Sequence, residues 1–402
     1  VHQETTLIAT IAVSLAFAFA GGFIAVRLRL PSLVGYLLAG IAVGPFTPGF
    51  VADAKLAPQL AEIGVILLMF GVGMHISVRD LLGVRAIALP GAMVEIGVAT
   101  ALGIGLARLW SWPLGAGLVF GLSLSVASTV VLLRTLEAHG VLDSTNGRIA
   151  VGWLVVEDLL TVLALVLLPA LAGWLGGQIP GQTESGATAQ SFPAILALTL
   201  GKVIAFVALM LLVGARVLPW LLKRVEETGS RELFTLAVIG IALGVAFGAA
   251  RLFGVSFALG AFLAGVVINE SDLSHRAATD VRPFADAFAV LFFVAVGMLF
   301  VPSILVRQPL QVLAVLGIVL IGKSAAAACI VLAFRHPLDA ALTVSAALAQ
   351  IGEFSFILAA LGVGLGLLPP EGRDLIVAGA LISITLNPLV FSAMIRLKPR
   401  EA

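Results

Sequence analysis

The stretch GWLVVEDLLTVLALVLLPALAG, residues 152–173, is apolar along almost its whole length. It is long enough to cross a bilayer, whose hydrocarbon core takes about 20 helical residues. Two adjacent carboxylates, Glu157 and Asp158, interrupt it. An ionised acid near the centre of a membrane helix costs about 2.5–3.5 kcal/mol on insertion scales, so two are hard to tolerate against lipid. They are expected to face a cavity or a partner. Neighbouring helical residues point about 100° apart, so one acid can face the cavity while the other meets an adjacent helix.

The rest of the chain has the same character. Of its 402 residues 60% are hydrophobic and 11% charged, against about 25% charged in soluble domains. The apolar runs are long rather than alternating, which reads as an all-α integral membrane protein and not a barrel. A net charge of +1 gives no reason to expect nucleic acid, and the single cysteine excludes a disulfide framework. No nucleophile–base set and no Cys/His metal spacing is present, so neither an enzyme site nor a cofactor is expected. The chain opens on Val1 rather than Met, which suggests a trimmed start. The first run, Leu7 to Val26, has no positive stretch before it, unlike a signal peptide, and reads as a span.

Thirteen apolar segments are read, near 5–26, 32–49, 57–75, 85–109, 114–137, 148–174, 192–222, 231–250, 255–269, 283–301, 309–334, 338–361 and 371–396. Arg and Lys test the count, because they concentrate on cytoplasmic loops. Alternate loops divide them sixteen to five, with Lys202 and Lys323 inside spans. The N-terminus is therefore expected outside and the C-terminus in the cytoplasm. The longest outer loop, GGQIPGQTESGATAQS (176–191), reads as a flexible connector.

The sequence also partly repeats. GYLLAGIAVG (35–44) lies over GAFLAGVVIN (260–269), and LLMFGVGM (67–74) over LFFVAVGM (291–298). The shift moves the second span onto the ninth, an odd offset of seven, so the two halves have opposite orientations. Two inverted six-helix repeats joined by the seventh span are expected, a plan typical of secondary transporters with a midplane site. Such proteins interrupt corresponding helices. SLSVAST (123–129) in the fifth span lies over LAQIGEF (348–354) in the twelfth, with Ser125 on Gln350 and Ser128 on Glu353. Both are predicted to be crossed, discontinuous helices, since unwound backbone at membrane depth needs protein or a watery cavity to satisfy it.

Within this plan Asp158 is expected to exchange a proton for a metal cation, one carboxylate holding either cargo and never both. Lys323 in the eleventh span is the natural partner of the acids, because a carboxylate neighbour keeps a buried ammonium charged; Glu353 is another candidate partner. Glu95 is left without an assigned partner, as a structural or proton-path residue. Lys202 either snorkels or pairs. Glu62 and Asp286, equivalent in the repeat, read as caps or funnel-lining groups, and His75, His139, His275 and His336 as loop histidines at cytoplasmic ends.

LPSLVGYLLAGIAVGPFTPG, LAEIGVILLMFGVGM, SVASTVVLLRTLE, VVEDLLTVLALVLLPALAG, RELFTLAVIGIALGVAFG, FALGAFLAGVV and AQIGEFSFILA occur in order over essentially the whole chain. They resemble the monovalent cation:proton antiporter-2 family, in its Kef-type branch. The resemblance implies a sodium:proton-antiporter-like fold and a homodimer in the bacterial inner membrane, moving its core in an elevator-like manner. Residues 1–80 and 231–305 would form the dimerisation scaffold, 81–175 and 306–402 the mobile core, and 176–230 the outer loop and linker helix. By motif position Asp158 is the carboxylate that carries cation or proton. Glu157 precedes it, where Kef systems have Gln, many electrogenic exchangers Asp and many electroneutral ones Asn. Ser125, Ser128 and Thr129 would complete the site; Lys323, Gln350 and Glu353 would balance charge at the crossing. The transported ion is expected to be potassium first, sodium otherwise. A cytoplasmic nucleotide-binding regulatory domain is expected C-terminal to this chain and absent from it. Two other readings were weighed. A ligand-gated potassium efflux channel would need a filter of the TVGYG type, which is not seen, and a sodium-coupled organic-anion symporter would need an organic pocket.

Overall fold

The computed structural model describes residues 2–28, 30–47, 56–75, 78–142, 144–177, 192–298 and 300–396, and every regular element among them is helical. The helices are α1 (His2–Arg27), α2 (Ser32–Val43), α3 (Leu56–His75), α4 (Val78–Leu109), α5 (Leu114–Ser125) and α6 (Thr129–Ala138). There follow α7 (Thr145–Leu171), α8 (Phe192–Leu209), α9 (Ala215–Glu226), α10 (Arg231–Gly248), α11 (Phe257–Asn269) and α12 (Ser274–Met298). The last are α13 (Ile304–Arg307), α14 (Pro309–Leu316), α15 (Ser324–Ala333), α16 (Leu338–Ala347), α17 (Glu353–Gly364) and α18 (Pro370–Arg396). π-helical turns occupy Met210–Gly214, Ala249–Phe253 and Gly317–Lys323.

Eight helices among the described residues are long and apolar enough to cross a membrane, from Leu7–Arg27 to Pro370–Arg396. Local chemistry sets many of their ends. Ser144, Ser230 and Ser256 each cap a helix by accepting an amide three residues on, worth about 1 kcal/mol apiece. Gly254, at φ 66°, ends the π turn after α10 in the left-handed region, which glycine enters without steric cost. The edges differ from the sequence reading where a helix outruns its apolar part. α4 starts at Val78 rather than residue 85, and α12 at Ser274 rather than 283, because their first turns are polar while their backbone is already helical. The second span ends earlier than expected, at Val43, where Thr47 turns back to donate to the Ile41 carbonyl at 2.7 Å. From residue 178 on, the expected outer loop lies outside the described residues.

The chain divides into two compact units. The first comprises Val1–Phe23, Gly35–Ile76 and Gln182–Leu299. Here α3 packs on α11 and α12 at very short range. A Cβ on Gly73 would collide with the Phe262 carbonyl, and one on Gly40 with the Val294 carbonyl. Small residues that let backbones touch are the usual device for joining helices where lipid supplies no hydrophobic drive. Ala18, Ala39, Val43, Val294, Ala295 and Met298 fill the space beside these contacts.

The second unit comprises Ile24–Val34, Ser77–Gly181 and Phe300–Ala402. α4 packs on α5 and α7, α16 on α15 and α18, and α17 on α5. Its apolar core runs through Trp153, Leu132, Leu136, Val344 and Phe391. All the buried polar side chains among the described residues fall in this unit except Thr10, Ser14 and Asp280. Burying polar groups is costly unless they are paired, so their concentration in one unit marks where the chain spends stability on something other than packing.

Candidate functional site

The site is built on two broken helices. α5 ends at Ser125; Val126 (φ −90°, ψ 124°) and Ser128 (φ −86°, ψ 124°) are extended, and α6 starts at Thr129. α16 ends at Ala347 and α17 starts at Glu353 after an extended Gly352. The expected discontinuities thus fall at residues 126–128 and 348–352, and the two interruptions cross. Gly352 N–H donates to the Val126 carbonyl at 2.9 Å. A Cβ on Gly352 would strike the Ala127 carbonyl, so the crossing admits only glycine there.

Breaking a helix strands amides and carbonyls, and each one buried without a partner costs about 1–3 kcal/mol. Side chains satisfy them here. Gln350 reads both backbone groups of one residue: Ser128 N–H donates to its Oε1 at 2.8 Å and its Nε2 donates to the Ser128 carbonyl at 3.1 Å. Ala127 N–H donates to Glu157 Oε2 at 3.1 Å, and Ile351 N–H to Ser383 Oγ at 3.3 Å. Ser355 donates to the Val126 carbonyl, and Asn387 Nδ2 to the Ala346 carbonyl at 3.0 Å. Ser128 Oγ caps α6 by accepting Val131 N–H.

The two acids of α7 part company, as their angular separation requires. Asp158 faces the start of α6, where Thr129 Oγ1 donates to its Oδ2 at 3.1 Å. Glu353, at the first turn of α17, is a charged neighbour of Asp158. Glu157 turns the other way, to the Ala127 amide and to Glu95 of α4. Lys323 Nζ lies 3.7 Å from Glu95 Oε1, with both side chains fully buried. Trp153 Nε1, one turn before Glu157, donates to Glu95 Oε2 at 2.7 Å.

One expectation needs correction. The ion-pair partner of Lys323 is Glu95, not Glu157 or Glu353. The reason is local. Lys323 closes the π turn Gly317–Lys323, and this turn packs on α4, Gly322 lying against Leu102. That brings the ammonium to the α4 face that carries Glu95. Ser125, expected beside the cation, donates its hydroxyl hydrogen to the Leu122 carbonyl of its own preceding turn at 2.8 Å. Glu62, Asp286 and Lys202 are exposed.

Sequence reasoning missed the roles of Glu95, Trp153, Ser355, Ser383 and Asn387. Each is a polar or indole-bearing residue inside an apolar span, and that was the available signal.

Four carboxyls and one ammonium are thus buried together: Glu95 0%, Glu157 0%, Asp158 3%, Glu353 2% and Lys323 0% exposed. One oxygen of each acid, and Lys323 Nζ, has no hydrogen-bond partner. Unpaired buried polar atoms are rare in native proteins and mark sites with a further role. No group of three or more His, Cys, Asp or Glu side chains able to hold a metal occurs among the described residues. Asp158 offers one carboxylate oxygen bonded by a hydroxyl and one without a partner.

The sodium/hydrogen exchanger, transmembrane, family matches residues 13–397. The Escherichia coli (strain K12) protein named "Putative cation/proton antiporter YbaL" is 59% identical over 394 residues, 98% of this chain and 69% of that protein. "K(+) efflux antiporter 4" of Arabidopsis thaliana is 32% identical over 96% of this chain and 64% of its own length. The chain therefore spans about two thirds of the length of these relatives. In fold it is similar to the sodium proton antiporter MjNhaP1 of Methanocaldococcus jannaschii, with a TM-score of 0.75 at 16% identity over 98% of this chain and 99% of the other. With the matched region running almost end to end, the chain belongs to the sodium/hydrogen exchanger family of transmembrane proteins.

Proposed function

We propose that the chain exchanges a monovalent cation, potassium in the first place and sodium otherwise, for protons across the bacterial inner membrane. The carrying observation is Asp158: a buried carboxylate in the middle of a long apolar helix, beside a helix break, with Thr129 on one oxygen and no partner on the other. A proton or a cation completes that second oxygen equally well, and the two compete for it.

Thr129, whose hydroxyl lies on Asp158 Oδ2, adds an oxygen to the cation's shell, with Ser128 beside it in the same break. Gln350 and Glu353 hold the half-helix ends in register. The relatives named as a cation/proton antiporter and a potassium efflux antiporter favour potassium for this chain.

Alternating access follows the inverted-repeat plan. Two glycine contacts in the first unit support it: Gly40 meets Gly297 and Val294, and Gly265 meets Gly73 and Phe70. The sequence alignment that carries Gly40 to Gly265 and, one residue out of that register, Phe70 to Val294 and Gly73 to Gly297 carries one contact onto the other. The thirteen spans expected from the sequence place the N-terminus outside and the C-terminus in the cytoplasm. In this reading the second unit is the moving body and the first the scaffold of a homodimer.

Purified protein in liposomes with an internal pH dye tests the proposal. A potassium or sodium pulse is expected to move protons in the wild type and not in Asp158→Asn. Cation flux that leaves the internal pH unchanged in the wild type contradicts the proposal.

A further inference from the structure

Lys323 is a buried cation in the same unit as Asp158, and its counter-ion decides how much charge one transport cycle moves. A lysine paired with Glu157 would be coupled to the cation site through the adjacent residue. The observed pair is different: Glu95 Oε1 lies 3.7 Å from Nζ, and Trp153 Nε1 fixes the other Glu95 oxygen at 2.7 Å. Trp153 is itself immobilised, its ring filling the space where a Cβ on Gly91 of α4 would sit. Glu95 is thus held from α7 and pairs with the π turn. Glu157 instead accepts the Ala127 amide at 3.1 Å.

We infer that Glu95 is the permanent counter-ion of Lys323, so that cation–proton exchange at Asp158 moves no net charge. The inference rests on the antiport reading above. The balance is simple. Lys323 contributes +1 and Glu95 −1 in every state of the cycle, and Glu157 stays on the Ala127 amide throughout. Asp158 is neutralised either by its own O–H or by the bound cation. When the cation binds, the Asp158 O–H bond breaks and its single proton leaves to water on that side; on the other side the reverse occurs.

The other groups near Glu95 leave this balance intact. α5 and α15 also pack on α4, and neither carries a charged residue. Cys329 of α15 is exposed. Glu353 sits in the first turn of α17, on the helix end whose dipole favours a carboxylate. Glu95 is a positioning residue: it acts on Asp158 only through Lys323 and Glu157.

The test is charge movement. Wild-type proteoliposomes on a solid-supported membrane are given potassium or sodium pulses while a pH dye reports proton flux. One proton per cation, no net current, and a rate indifferent to an imposed membrane potential are expected. In Glu95→Gln, Lys323 falls to Glu157. The proton:cation ratio is then expected to rise from one towards two, with a net current and a pH profile displaced from that of the wild type; Glu95→Asp is expected to restore the neutral cycle. A net current in the wild type overturns the inference, as does Glu95→Gln exchange that stays neutral with an unchanged pH profile. The wild-type arm needs no variant, so failure of Glu95→Gln to fold does not shelter the idea. Absence of any cation-driven proton movement in the wild type sinks the antiport reading instead.

Discussion

Replacing Gln350 by Leu removes the residue that ties the two broken helices together. The loss is not the same at its two ends. Ser128 N–H has Gln350 Oε1 as its acceptor at 2.8 Å, and in Gln350→Leu it is left buried and unpaired, costing about 1–3 kcal/mol. The Ser128 carbonyl loses Nε2 but keeps the Leu132 amide at 3.0 Å, so that end costs only the net value of one bond, about 0.5–1.5 kcal/mol. The Leu side chain has similar bulk and no polar atoms of its own to satisfy. A destabilisation of about 2–4 kcal/mol follows. At roughly 2–4 °C per kcal/mol for a unit of about this size, melting is expected to fall by roughly 5–10 °C. Trp153 is buried in the same unit, so intrinsic fluorescence of the purified protein during a thermal ramp reads the change. Ser125→Ala is the control. Its hydroxyl bonds only the preceding turn, so its melting point is expected to stay within about 1 °C of wild type. A Gln350→Leu protein that melts with the wild type, or a Ser125→Ala protein that loses as much, refutes the assignment of the crossing to Gln350.

Other perturbations follow from the same geometry. Thr129→Val keeps the shape but removes the hydroxyl on Asp158 Oδ2; a charge-assisted bond of about 1.5–3 kcal/mol predicts an apparent cation affinity roughly 10- to 100-fold weaker in the liposome assay, with little change in yield. Gly73→Leu forces a side chain into the Phe262 carbonyl, while a Cβ at Gly240 meets nothing. The first is expected to abolish recovery of folded protein by size-exclusion chromatography, and Gly240→Ala to leave it unchanged. Trp153→Phe removes the donor to Glu95 Oε2 and leaves a buried carboxylate oxygen unpaired, lowering melting by an amount matching about 1–3 kcal/mol.

The membrane class and the place of both helix breaks were legible because they are written in residue type. Long apolar runs can only be spans, and SLSVAST and LAQIGEF are polar where lipid-facing helix is not. The π turn before Lys323 was illegible. IVLIGK is ordinary helix by composition, and a π turn arises from tertiary packing against α4 rather than from propensity. That one turn sends the ammonium to Glu95, so the lysine's partner was misread although both residues had been noticed. The satisfaction of the freed backbone was also hidden. Gln350 stood out as polar, but Ser383 and Asn387 sit in a span whose fold partners sequence periodicity does not reveal.

The central claim is that a proton and a cation compete for the Asp158 carboxylate, and the dependence of the cation's KM on pH tests it most directly. With transport measured in liposomes from acid to neutral pH, competition predicts that KM rises as pH falls, approaching tenfold per pH unit on the acid side, while the maximal rate stays constant. A KM that does not move with pH while the maximal rate falls contradicts the account, because proton and cation would then occupy different sites.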